Sequence, residues 1–290
     1  MQSSNPVFRR ADGFNGRTAQ GNPTYPGNGQ SYDAYGSPAT WGTGAGTPAT
    51  HTDPAVDRGP MTIDSVVQKT ALTLGVVVVV AALTWVTTGD LSSQQSLSTL
   101  YVLSMVGALG GFVLSMVNSF RRVISPALVL AYAALEGLFV GAFSKTLEAI
   151  FNQNGHPGSL VIGAVVGTMA AVAGTLAAYK FFNIKVGQRF RTWVIGAMFG
   201  FVAVSLLDFV LSLFGASFGF NGFTGLGFFA SLLGLGLGVL MLILDFDFVE
   251  RGIAAGLPER ESWRAAFGLT VTIIWIYIEL LRILAILRGD

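Results

Sequence analysis

The segment Leu240–Gly252, LMLILDFDFVERG, runs through five apolar residues and then meets two aspartates, Asp245 and Asp247, followed by Glu250 and Arg251. Upstream, the apolar run reaches back to Gly225, a length that suits either a lipid-embedded helix or a deeply buried one. Composition decides between them. Of 290 residues, 52% are hydrophobic and only 11% charged, and the mean hydropathy of +0.60 is too high for a soluble domain of this size. The chain reads as an integral membrane protein.

Working outward from Gly225 to Leu244, six further apolar runs have similar lengths: Thr70 to Thr87, Leu97 to Phe120, Pro126 to Phe143, Leu160 to Tyr179, Thr192 to Phe214, and Ala266 to Leu287. A hydrocarbon layer about 30 Å thick needs roughly 20 helical residues to cross it. In lipid only helices and closed barrels satisfy every backbone group, and strands are shorter than these runs. The expected fold is therefore an all-α polytopic bundle of seven transmembrane helices. Glycines four apart recur in it at Gly107 and Gly111, Gly137 and Gly141, Gly163 and Gly167, Gly196 and Gly200, and Gly234 and Gly238. That spacing lets helix backbones approach closely.

Basic residues alternate between the connections. Arg58 and Lys69 precede the first run, Arg121 and Arg122 follow the second, Lys180, Lys185, Arg189 and Arg191 follow the fourth, and Arg251, Arg260 and Arg264 follow the sixth. The opposite loops hold little beyond Lys145. Positive charge stays on the cytoplasmic side, which predicts a multi-pass protein of the cell's inner (plasma) membrane with a cytoplasmic N-terminus and an outside C-terminus. Arg288 is a mild exception.

Residues 1–60 are rich in Gly, Pro, Ser, Thr, Asn and Tyr and lack apolar periodicity, so they are expected to be a disordered cytoplasmic tail ahead of a transmembrane domain over 61–290. The tail is either a solubilising leader or a docking segment for a protein partner. It contains no apolar core of a cleavable signal. Cysteine is absent, and His51 and His156 lie far apart outside the apolar runs, which argues against thiolate or histidine metal chemistry. A net charge of +1 does not suggest nucleic acid as a partner.

Four acids fall inside or at the rim of the spans: Glu136, Asp208, Asp245 and Glu279. An Asp at a helix centre costs roughly 2.5–3.5 kcal/mol on insertion scales, so each should face protein or water. Asp245 and Asp247 project about 200° apart on a helix, so one is expected to point inward and Asp247 to reach water. Glu279 has Arg282 one turn later, which also fits a local ion pair. Glu136 and Asp208 have no basic residue within a turn, and fit either a polar pore or hydrogen-bonded structural acids.

The sixth run's end, LILDFDFVERG, and the seventh's IYIELLRILAILRGD resemble the Bax inhibitor-1 family of transmembrane BAX inhibitor motif proteins, with its YccA-like bacterial members. The resemblance covers about Met61 to Asp290, and SNPVFRR near the start is similar to the opening of some bacterial members. It implies seven helices with the last enclosed by the other six. It also implies a pH-sensitive calcium leak channel gated by a carboxylate pair, here Asp245 and Glu279, neutralised by Arg121 or Arg122 at the end of the second helix. Asp208, Glu136 and Asp247 would be secondary pore acids. Asp208 is the alternative companion of Glu279, because hydropathy places Glu279 deeper than Asp245 and the loop of about Phe248 to Arg264 is long.

Two carboxylates within about 4 Å in a low-dielectric site do not both ionise cheaply. A shared proton would hold the helices together, and its loss as cytoplasmic pH rises would open an acid-lined path, with Asp245 and Glu279 as hard oxygen ligands for transient calcium. No other cofactor is expected; the partners are the lipid bilayer and calcium ions. The main rival is a noncatalytic membrane regulator or scaffold acting through the tail and the long loop. An enzyme is not expected: neither acid has the Gly-Tyr-Asp or Gly-x-Gly-Asp setting of intramembrane aspartyl proteases, no histidine lies in a span, and the last span has no lysine for a Schiff base.

Overall fold

In the computed structural model the described residues are 59–89, 94–152, 156–182 and 184–289. The chain divides into a unit of Met1–Thr52 and a unit of Asp53–Asp290, and all described residues belong to the second. The tail expected to be disordered therefore lies outside them, save its last two residues.

Seven helices form: α1 (Ile63–Thr87), α2 (Gln94–Phe120), α3 (Pro126–Phe151), α4 (Ser159–Phe181), α5 (Gln188–Leu213), α6 (Gly225–Ala254) and α7 (Glu261–Gly289). All seven are long and apolar enough to cross a membrane. There is no strand among the described residues, only an isolated antiparallel bridge between Pro60 and Pro258. Several helices outrun their apolar segments: α3 continues to Phe151, α6 to Ala254, and α7 begins at Glu261. The long loop expected over Phe248 to Arg264 is thus a short connection, 255–260. Hydropathy marks where lipid ends, whereas a helix continues while its backbone bonds continue.

Local chemistry sets the helix ends. Thr62 and Ser65 form a reciprocal capping box at the start of α1, each side chain accepting from the other's backbone N–H at 3.1 Å. Pro126 occupies the first turn of α3, where its missing N–H costs nothing. At the other end of α1, Lys145 of α3 donates to the carbonyls of Trp85 (2.7 Å) and Gly89 (2.5 Å) and to Thr88 Oγ1 (2.9 Å), a cation placed where the helix dipole is negative.

α7 is the central helix. Within its most apolar window 67% of residues are buried, against 17% for α1, α2 and α5, so those three helices are the more open to lipid. α7 packs directly on α1, α3, α4 and α6. The outlying helices reach it through side chains. Phe201 of α5 meets Trp275 edge-on at 5.4 Å, and Leu114 of α2 packs on the cluster of Val129, Tyr132 and Phe267. The glycine spacing is used as expected at α1–α3: a Cβ at Gly137 would lie 2.6 Å from the Val77 carbonyl, and one at Gly141 2.6 Å from that of Ala81. Gly196 and Gly200 on α5 instead face open space.

Lys69, Arg121, Arg122, Lys180, Arg251 and Arg264 all sit at one end of the bundle, called the basic end below; the α1–α2, α3–α4 and α5–α6 connections lie at the far end.

Candidate functional site along the α6–α7 seam

α6 and α7 form an antiparallel hairpin, and their seam carries two of the acids at different levels. Near the basic end, Asp245 Oδ2 accepts a 2.6 Å hydrogen bond from Thr272 Oγ1, and its Oδ1 lies 3.5 Å from where a Cβ on Gly268 would stand. Asp245 is half-buried and has no ion pair among the described residues. Toward the far end, Glu279 is 4% exposed and pairs with Arg282 Nη1 at 3.2 Å. Its Oε1 sits 2.7 Å from the position a Cβ would take on Gly234, so the bare glycine makes the room for the carboxylate.

Asp245 and Glu279 therefore do not form the expected pair. Gly234, the residue facing Glu279, and Asp245 are eleven residues apart on α6, about 16 Å of helix at 1.5 Å per residue. The reason is register. With the turn at 255–260, Asp245 lies about twelve residues before its centre and Glu279 about twenty-one after, and an antiparallel hairpin cannot bring such positions level. The α7 residue that meets Asp245 is Thr272, which sequence reasoning missed; counting equal distances from the turn would have pointed to that stretch of α7.

Between the two acids the seam is apolar and shut. A Cβ at Gly238 would stand 2.8 Å from Ile276 and 3.0 Å from Trp275, and Trp275 Nε1 donates to the Gly234 carbonyl at 2.9 Å.

The other predicted site residues have their own partners. Asp208 is not a companion of Glu279: one carboxylate oxygen accepts from Ser217 Oγ (3.0 Å), Phe218 N (2.9 Å) and Gly219 N (3.2 Å), the other from Asn221 N (2.8 Å). The α5–α6 connection folds back to cover it, and Asn221 also bonds Ser205. Arg282 holds the same connection from α7, donating to the Phe220 carbonyl at 3.1 Å. Glu136 faces α2, where its Oε1 lies 2.8 Å from a Cβ position on Gly111, with Tyr132 one turn earlier on α3. Asp247, expected to reach water, is 6% exposed and is clamped by Arg191 of α5 at 2.9 Å and Arg251 at 3.0 Å. Arg251 was legible from its spacing of four; Arg191 depends on how α5 packs.

Arg121 and Arg122 are not the neutralising arginines. Both are exposed, both lie just beyond α2, which packs on α3 and not on α6, and neither side chain pairs with an acid among the described residues. What they offer is backbone: the Arg122 carbonyl accepts from Arg264 Nη2 at 2.9 Å. With about 16 Å of α6 between their levels, Asp245 and Glu279 stand too far apart for one ion to touch both.

A search of curated proteins found no match to the chain. A family model described as Bax inhibitor 1 like matches residues 5–289, which extends the likeness seen over 61–290 into the tail. Seven membrane-length helices with α7 at their centre, together with a match over nearly the whole sequence, establish that the chain belongs to the Bax inhibitor 1 like family.

Proposed function

We propose that this membrane protein is a noncatalytic, pH-sensitive cation leak pathway, with calcium as the expected ion, and that its proton-responsive element is Asp245 acting with Thr272 rather than a pair of carboxylates. The orientation that fits the basic end puts the N-terminus in the cytoplasm and the C-terminus outside, in the cell's inner membrane. The observation that carries the reading is the lone carboxylate: Asp245 sits in the α6–α7 seam with a hydroxyl at 2.6 Å and no cation among the described residues.

A neutral, protonated Asp245 fits that setting without further compensation. An ionised one there demands a counter-charge or water, because a charge in a low-dielectric site is expensive unless paired. Losing the proton therefore favours parting of α6 and α7 at this level and entry of a cation, for which carboxylate oxygen is a suitable hard ligand. The apolar contact of Gly238 with Ile276 and Trp275 is the barrier that such parting relieves. The sign follows: leak is low when Asp245 is protonated and rises as pH on the basic side increases.

The test is calcium flux into liposomes containing the purified chain, measured between about pH 5 and 8. Flux should climb with pH, and Asp245→Asn should flatten the profile. Wild-type flux indifferent to pH, or an Asp245→Asn profile that overlays it, would refute the proposal. A second reading, a noncatalytic scaffold acting through its tail and connections, is favoured by the fixed structural partners of Asp208, Asp247 and Glu279; it requires that the purified chain pass no ions at all.

A further inference from the structure

The connection between α4 and α5 concentrates positive charge that the bundle does not neutralise. Lys180 lies in the last turn of α4, Lys185 in the connection and Arg189 at the start of α5, all exposed. None of the three forms an ion pair among the described residues, whereas four other cations at this end do: Lys69 with Glu259, Arg264 with Glu261, and Arg191 and Arg251 with Asp247. Glu250, a further acid at this end of α6, is occupied by the Tyr179 hydroxyl at 2.8 Å.

Large aromatics frame the charges. Phe181 is 87% exposed, Phe182 80% and Trp193 79%. At the ends of membrane spans the amphipathic indole of a residue such as Trp193 settles at headgroup level, the phenyl rings of Phe181 and Phe182 enter the acyl region just beneath, and the lysine and arginine stems beside them reach the phosphates. The α5 cap residue, Gly187, supplies no side chain to the first-turn amides, so these donors add to the same positive field.

We propose that the α4–α5 connection binds the headgroup of an anionic phospholipid, its phosphate against Lys180, Lys185 and Arg189 and its glycerol region among Phe181, Phe182 and Trp193. A lipid is the occupant because charge and interfacial aromatics coincide at the mouths of two spans; a free anion has no use for the rings. The contact has a mechanical purpose. The main helix neighbour of α5 is α6, with Phe201 reaching Trp275 of α7, and Arg191, two residues from Arg189, ties α5 to Asp247, so a bound headgroup adds a hold on α5 at this end.

The experiment uses the full chain in nanodiscs of phosphatidylcholine doped with phosphatidylglycerol, followed by native mass spectrometry of the lipids retained. Lys180→Gln, Lys185→Gln and Arg189→Gln combined should lower phosphatidylglycerol retention about tenfold or more and leave phosphatidylcholine unchanged. Lys185→Gln alone, outside any helix and so harmless to folding, should give a smaller loss in the same direction. Arg121→Gln with Arg122→Gln, which removes two unpaired charges from the same end, should retain the lipid. Equal loss in that control, no loss in the triple or single variant, or displacement of the lipid by inorganic phosphate would overturn the assignment.

Discussion

The two levels of the α6–α7 seam hold their acids under opposite conditions. Toward the far end, Glu279 has a guanidinium at 3.2 Å, and the same arginine ties down the α5–α6 connection. Near the basic end, Asp245 has only the Thr272 hydroxyl among the described residues. A buried ion pair resists any change in either partner, because losing one leaves the other charged and unsolvated. A carboxylate with a neutral partner is accommodated in one protonation state and strained in the other. The far end is thus built as an anchor and the basic end as the part able to respond, although both acids arise from the same hairpin.

That contrast can be broken most forcefully at Arg282. Replacing it with Met leaves Glu279 buried without its counter-charge, and stability should fall by about 3–5 kcal/mol. Thermal unfolding in detergent would read this as a large drop in midpoint, and adding Glu279→Gln should recover part of it. A small effect of the single variant would mean that the pair is not the anchor. Asp208→Ala should come next, with a smaller drop in the same assay, since it strips the acceptor from three backbone amides and Ser217. It should also raise hydrogen exchange at Phe218, Gly219 and Asn221 before that of α6.

Thr272→Val sharpens the comparison from the quiet side. It removes one hydrogen bond from Asp245, worth about 0.5–1.5 kcal/mol, so the unfolding midpoint should move little while the pH profile of flux shifts. A midpoint loss matching that of Arg282→Met would erase the distinction between the two levels.

The seven helices could be read directly, because a run of apolar residues as long as Gly225 to Leu244 has few other uses. The acids could be located but not matched. Hydropathy counts depth from the ends of apolar runs, whereas contact between helices depends on register, and register depends on where the turn falls. Placing the turn within Phe248–Arg264 without knowing that helix persists through most of it left Asp245 and Glu279 free to be paired on paper. Asp208 misled for a related reason: counted from its run it lies deep, but the connection after Leu213 folds back to reach it. Neighbour pairs along one helix, Glu279 with Arg282 and Asp247 with Arg251, were within reach of spacing alone. Arg191 and Thr272 come from other helices and carry no such mark.

The central position of α7 also bears on how the molecule is made. Helices leave the ribosome in chain order, so α1, α3, α4 and α6 enter the bilayer before the helix that all four pack against exists. Until then their inward faces meet lipid or one another in a provisional cluster, and the final segment must slip into the middle of an assembly already inserted, bringing Glu279 and Arg282 with it as a mutually neutralised couple. A nascent chain halted in 255–260 would have six of seven spans and the α1–α3 contact, but not the helix on which α1, α3, α4 and α6 converge, which makes closure of the interior a late event in the biogenesis of this protein.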